Sequence, residues 1–524
     1  ASDVYKRQLH KRQRQLHTMK KFFLPLSVFT LMTLAAPLAF ISCDDDDNQT
    51  TTVDRNWSEN GGLKACDNIL FDGNQIGSGD NEIVFVGKQT LPKGTYVLKG
   101  WVYIAEGAEL TLSPGTVIKG DKRTKSALIV ERGGKLIAQG TANEPIVFTS
   151  GEAKGQRRPG DWGGLIFCGK APNNSGEAQI EGGPRTKHGG NDAHDNSGVL
   201  SYVRVEFAGY PFETDKEING ITFGSVGDGT KIDHVQVSYS NDDSFEWFGG
   251  NVNCKNLIAY RGWDDDFDTD NGYSGTVQYG LVVRDSRLAD KSQSNGFESD
   301  NDASGSTAAP FTSALFSNIT FVGPKAVDDK FQNTNEYING GDMFPNNGSG
   351  LGRFQAAMQI RRGSRLNCIN SIAYGFPIGL ILDGEKGDTQ EQANKGNLRL
   401  QNLWFANMDI TGSDANKLYE DVLVTGYDSN KKPIKDPTKP SFSTTFFKAQ
   451  EGNKEFADAS SWMLQPLSPL NVNILPGVAS PLLSAASFNG VTNSQLDKVN
   501  FIGAFGADNW TAGWTNFDPQ NAEY

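Results

Sequence analysis

The segment "WDDDFDTDNG" (residues 263–272) places five aspartates in seven positions around one phenylalanine. Carboxylates at that density can ligate a hard cation, act as an acid–base pair, or solvate a turn. Asp266, Asp268 and Asp270 alternate as in an EF-hand loop. The glycine, however, comes one place late at Gly272, and the twelfth position is Val277 where a bidentate glutamate belongs. A calcium site here has to be assembled from more than one loop.

Two other segments supply the missing partners. "NDDSFEWFGG" and "SNGFESDND" align with the first on Phe245, Phe267 and Phe297, at offsets of 22 and 30 residues. Glu246, Asp268 and Glu298 follow the three phenylalanines, and Asp243, Asp265 and Asn295 stand two places before them. If the offsets are the turns of a stacked coil, the phenylalanines point inward and the carboxylates form an outward column. Neighbouring coils lie ~4.8 Å apart. Two carboxylates at that distance repel by ~0.9 kcal/mol in water and ~3.5 kcal/mol at an effective dielectric of 20. Such a column binds a cation or raises a pKa, and its hard oxygen donors favour Ca²⁺ over zinc or copper. The expected ligands are Asp243, Glu246, Asp265, Asp266, Asp268, Asp270, Glu298 and Asp300. A solvated acidic face is the plainer alternative. For acid–base work on glycosidic bonds, which needs carboxyl pairs at defined separations, the candidates are Asp266, Asp268 and Glu246. "RRGSR" (361–365) offers an arginine base or clamp, but nothing in the sequence places it beside the aspartates.

Other reactive residues are sparse. "KHGGNDAHDNSG" holds His188, Asp192, His194 and Asp195, which read as a turn rich in Asx hydrogen bonds more readily than as a metal site. The remaining histidine downstream of the leader is His234. Beyond Cys43, the cysteines are Cys66, Cys168, Cys254 and Cys368. No CxxC pair exists and the spacings fit no zinc site; Cys254 and Cys368, at matching places in two similar segments, read as buried small apolar residues rather than parts of a disulfide framework.

The elements that position these residues show themselves as repeats. "VYIAEGAELTL" (102–112) and "LIVERGGKLIA" (128–138) superimpose at an offset of 26, matching Ile104 with Val130, Gly107 with Gly133 and Leu110 with Leu136. Later short apolar strands recur in "YVRVEF", "HVQVSY", "NLIAY", "NITFVG", "NSIAYG" and "NLWFAN". Asn256, Asn318, Asn370 and Asn402 sit at equivalent points, as a ladder at a coil corner would require. A unit of 22–32 residues built on short strands is the signature of a β-solenoid, whose coils bury a common core only by stacking. The expectation is all-β: a right-handed parallel β-helix over residues 63–450, with 451–524 as a C-terminal cap in which Trp510 and Trp514 seal the last coil. An aromatic sugar-stacking site is the alternative for those two tryptophans.

The motifs "DWGGLIFCGKAP", "GGNDAHDNSGVLSYVRVEFAG", "NDDSFEWFGGNVNCKNLIAY", "DDDFDTDNGYSGTVQYGLVVR" and "NWTAGWTNFDP" together resemble surface-exposed parallel β-helix lipoproteins of Bacteroidetes and other Gram-negative bacteria. The resemblance spans most of residues 90–520 and implies fold and location. It implies no assigned activity.

The N-terminus agrees with export. "DVYKRQ" reads as translated adaptor sequence, so residues 1–18 are taken as read-through and Met19 as the start. Lys20 and Lys21, an apolar run and "FISC" form a lipoprotein-type signal over 19–42, with Cys43 the expected site of lipidation. "CDDDD" opens an acidic and polar tether, 43–62, resembling the export signal that sends such lipoproteins to the outer face of the outer membrane.

The whole chain carries a formal charge of −13; without the +4 of residues 1–18 and the +2 of the signal it is −19. A nucleic-acid partner is excluded on that balance. The expectations for function are a lipid-anchored outer-membrane surface protein that binds extracellular polysaccharide or another surface ligand without catalysis and carries a structural calcium, a polysaccharide lyase or glycoside hydrolase using the acidic stack, or a purely structural envelope component.

Overall fold

The computed structural model describes residues 55–524, apart from 181, 182, 184, 214, 215, 469–471 and 473. The leader, Cys43 and the aspartates after it lie outside the described residues, as does most of the tether.

The chain is a parallel β-helix. One sheet, here sheet A, runs through thirteen strands from Trp57–Asn60 to Ile410–Ser413, and a second, sheet B, has sixteen. Apart from hairpins, successive coils pair in parallel. Strands of two to nine residues suffice because those within a sheet are hydrogen-bonded on both sides by their neighbours above and below.

Inward positions of sheet A form one continuous apolar column. Val102, Leu128, Leu165, Ile221, Phe245, Phe267, Phe297, Met358 and Leu380 are in register, and all but Leu128 have no accessible surface. Each phenylalanine buried there stabilises the stack by ~1.5–3 kcal/mol relative to exposure. Cys254 and Cys368 share an inward row of sheet B with Val277 and Phe316. All four described cysteines are buried and free.

Sheet B is bent. The strand Gly198–Glu206 pairs with Lys135–Gln139 through its first half and with Ile146–Ser150 through its second. The bend falls at Tyr202, which has a left-handed backbone (φ 51°). The same place in later coils is taken by His234, Asn256, Tyr279, Asn318, Asn370 and Asn402, with φ between 51° and 64°. Asparagine is the non-glycine residue that adopts this conformation most readily, which accounts for its recurrence at the corner. Only Asn402 and Asn370 bond each other directly (2.8 Å). Asn318 donates to the carbonyl of Phe501, and Asn402 also to that of Ala485.

Those contacts correct the expectation for the tail. The described residues of 474–524 do not seal the last coil; they run back along the outside of the bent sheet. Trp510 and Trp514 pack beside His234 and Tyr202, and Lys119 reaches the carbonyl of Tyr524 at 2.7 Å. The end of the core is closed instead by the helix Phe442–Ala449, whose Phe447 stacks on Phe405 at 4.4 Å. Asp414 accepts from the amides of Phe442 and Ser443, and Ser441 from that of Thr444, fixing the start of this helix.

Candidate functional site

Sheet A carries the acidic column in the expected register. Glu246, Asp268 and Glu298 are directly in line, between Thr222 on one side and Gln359 on the other. The row they belong to is apolar in earlier coils, where Tyr103, Ile129 and Ile166 are covered by Ile180 and Ile218 from two insertions. The column is likewise recessed. The three carboxylate residues are half-buried, which overturns the picture of a solvated face.

The residues two places before each phenylalanine have a structural duty that sequence reasoning missed. Asp243 Oδ1 accepts from the Asp265 amide (2.8 Å), Asp265 Oδ1 from the Asn295 amide (2.5 Å) and Asn295 Oδ1 from the Ala356 amide (3.0 Å). Each Asx side chain thus satisfies the backbone of the next coil, an acceptor ladder along the axis.

The eight expected ligands do not converge on one point. Asp266 is fully buried in an ion pair with Arg284 at 3.0 Å, so it can neither reach a substrate nor join the others. Glu298 and Asp300 are held by Arg361, and Asp300 also by Arg362 at 2.6 Å. Asp270 accepts from the Asn271 amide and faces Asp300. Asp265, committed through Oδ1 to the Asn295 amide, is in neither convergent group, and what remains is a compact trio, Asp243, Glu246 and Asp268, with one oxygen from each lying within 4.8 Å of the others. Twice a typical Ca–O distance of ~2.4 Å is the same span.

A second trio shares Asp243 and adds Asp242 and Asp264. Both of these stand three places before a phenylalanine, so extending the alignment by one position would have found them.

The electrostatics of the column follow from its burial. Desolvation pushes the carboxyl groups of Asp243, Asp264, Asp265 and Asp268 well above the usual range, and neighbouring carboxylates add to the rise. Burial takes Asp266 up to about 7 despite Arg284, and Asp270 to about 8 with help from Asp300. Asp268 Oδ1 and Asp264 Oδ1 are buried without a hydrogen-bond partner. Glu246 is bound by the amide of Asn219. Oxygen donors held this close, desolvated and partly unsatisfied fit a hard divalent cation, with bidentate binding or water completing the shell.

The other cluster does not assemble. His188 is buried against Ser225 Oγ (2.9 Å), and desolvation lowers its pKa to about 4. His194 is exposed and paired with Asp228 at 2.7 Å. Asp192 accepts from the His194 amide in a tight turn, and Asp195 is buried nearby.

Two surface grooves lie away from the column. One of about 1050 Å³ is lined by Glu106, Glu131, Arg132, Lys170 and Arg185 among others. A second, of about 700 Å³, lies beneath a hairpin near the end of sheet A. Neither includes a column residue. Proximity of Arg361 to the acids was invisible in the sequence because 63 residues, including a long insertion, separate it from Glu298.

Among known proteins, a family model for a pectate-lyase-like β-helix domain matches residues 84–465. No curated protein and no solved structure matches the chain. The matched span holds nearly every coil of both sheets and the whole acidic column, and on that extent the chain belongs to the family of pectate-lyase-like β-helix domains.

Proposed function

We propose that this protein is a lipid-anchored β-helix of the outer-membrane surface that binds extracellular polysaccharide, and that the trio Asp243, Glu246 and Asp268 holds a Ca²⁺ ion that stiffens the stack. Membership of a pectate-lyase-like family supports a glycan-binding or polysaccharide-active role. The observation that carries the calcium reading is the packing of three half-buried to buried carboxylates within 4.8 Å, with an orphaned Asp268 oxygen. Uncompensated charge at that depth is costly unless a cation or protons neutralise it. The recessed setting, outside the two grooves described above, favours a structural ion over a catalytic one.

Calorimetry with Ca²⁺ on the metal-stripped protein tests this reading. Saturable binding and a higher Tm are expected, both lost in Asp268→Asn. No heat and no Tm shift with chelator would remove the calcium reading. Anchoring predicts palmitate incorporation that disappears in Cys43→Ala, and cleavage by protease added to intact cells.

The second reading is a polysaccharide lyase or glycoside hydrolase, favoured by the Arg361 guanidinium at Glu298 and Asp300. It predicts turnover on polyuronides or other glycans, abolished by Asp268→Asn. An inert wild-type protein across a broad panel rules it out.

A further inference from the structure

The groove of about 700 Å³ near the end of sheet A has a composition unlike that of the acidic column. One wall is the strand Val422–Tyr427 of an exposed hairpin, and the other is the end of sheet A around Ser413–Ala415 together with Glu385 and Gln390. Leu423 to Tyr427 line it consecutively. Adjacent strand side chains point to opposite faces, so a wall made of consecutive residues is a strand edge. Among the described residues that strand pairs only with its hairpin mate Pro433–Pro440, which leaves backbone donors and acceptors on the groove side. The mate carries three prolines along its length, which blunt its own outer edge, whereas Val422–Tyr427 has none.

Three features converge there. Tyr427, 54% exposed, lines the groove and offers a flat apolar ring. Glu385 offers a carboxylate acceptor, Asp414 and Glu420 add negative charge while engaged by the capping-helix amides and by Lys435, and no lysine or arginine lines the groove. Lys435 is engaged by Glu420 at 2.5 Å, and Lys431 and Lys432 at the hairpin turn are not part of the lining. An aromatic face for C–H surfaces, a carboxylate for hydroxyl donors and backbone N–H groups for hydroxyl oxygens are together the chemistry of a polyhydroxylated chain. A polyuronide would bring its own carboxylates against three fixed ones.

We infer that this groove binds a neutral, hydroxyl-rich polysaccharide. The inference rests on the glycan-binding reading above and narrows it to uncharged chains at a site apart from the acidic column.

The test is affinity electrophoresis of the full protein in gels containing soluble β-glucan, mannan or arabinoxylan, with polygalacturonate for comparison. Retardation by at least one neutral glycan is expected. Tyr427→Ala should weaken it about tenfold with Tm unchanged, since the ring is exposed. Neutral-glycan binding indifferent to Tyr427→Ala would overturn the site while leaving the glycan-binding reading standing. So would binding of polygalacturonate alone. No retardation by any glycan would sink both. The groove would be reassigned to a protein partner if a lysine-rich strand peptide protected the amides of residues 422–427 from exchange and the neutral glycans did not.

Discussion

Asp265 has two effects that can be separated by substitution. Its Oδ1 holds the Asn295 amide, and its charge adds to that of Asp264 and Asp243. Asparagine already fills the same role one coil later at Asn295, so Asp265→Asn should keep the ladder and, without a cation, raise Tm by relieving repulsion. Asp265→Ala should cost about 1–3 kcal/mol by orphaning a buried amide; paired denaturant melts distinguish the two. The column itself was legible because parallel stacking places one residue per coil on the same spot, so Phe245, Phe267 and Phe297 reveal their neighbours. The convergence of ligands was not legible. Arg284 and Arg361 neutralise Asp266, Glu298 and Asp300 from other coils, and no spacing rule connects those guanidiniums to their partners.

Among the elements, the corner of sheet B is the most sensitive to residue type. Asn370 is left-handed there, and its Oδ1 accepts from the Ser487 amide at 2.8 Å as well as from Asn402. Asn370→Ala should destabilise by about 1–3 kcal/mol through backbone strain and lost hydrogen bonds, whereas Asn370→Gly should recover the strain component. Equilibrium unfolding measures both. Four asparagines announced this corner in the sequence. Tyr202, His234 and Tyr279 adopt the same conformation without the signature residue, so the corner looked intermittent. The capping helix was hidden for a different reason. Phe442–Ala449 is only eight residues long, and its role comes from where Phe446 and Phe447 land on the last coil. Phe447→Ala should cost about 3–5 kcal/mol and expose apolar surface that a dye such as ANS detects.

The whole molecule should answer to pH through its buried acids. Asp266 and Asp270 titrate at about 7 and about 8 in the fold, against an ordinary 3.8 when unfolded. Between those limits the native state holds more protons than the unfolded chain, so stability without a cation falls as pH rises from about 4 to about 8. A bound divalent ion favours the ionised carboxylates and flattens that slope, while its own affinity weakens on acidification. Tm measured from pH 5 to 8.5, with Ca²⁺ and with chelator, should give two diverging curves. Coincident curves would exclude a cation from the column.

The returning tail changes how such a stack behaves. Solenoid coils touch only their neighbours, which lets them form and fray one at a time. Here Lys119 is clasped to Tyr524 across 405 residues, and Arg204 to Trp514 across 310. The chain therefore carries contacts of high sequence separation despite its local coils, the kind that slow folding. A chain emerging N-terminus first can wind its coils as it appears, but the coils around Lys119 and Arg204 are tied into one cooperative body only when residues 514–524 dock back over them. Pulled from its ends, it should release that clasp first and only then yield coil by coil.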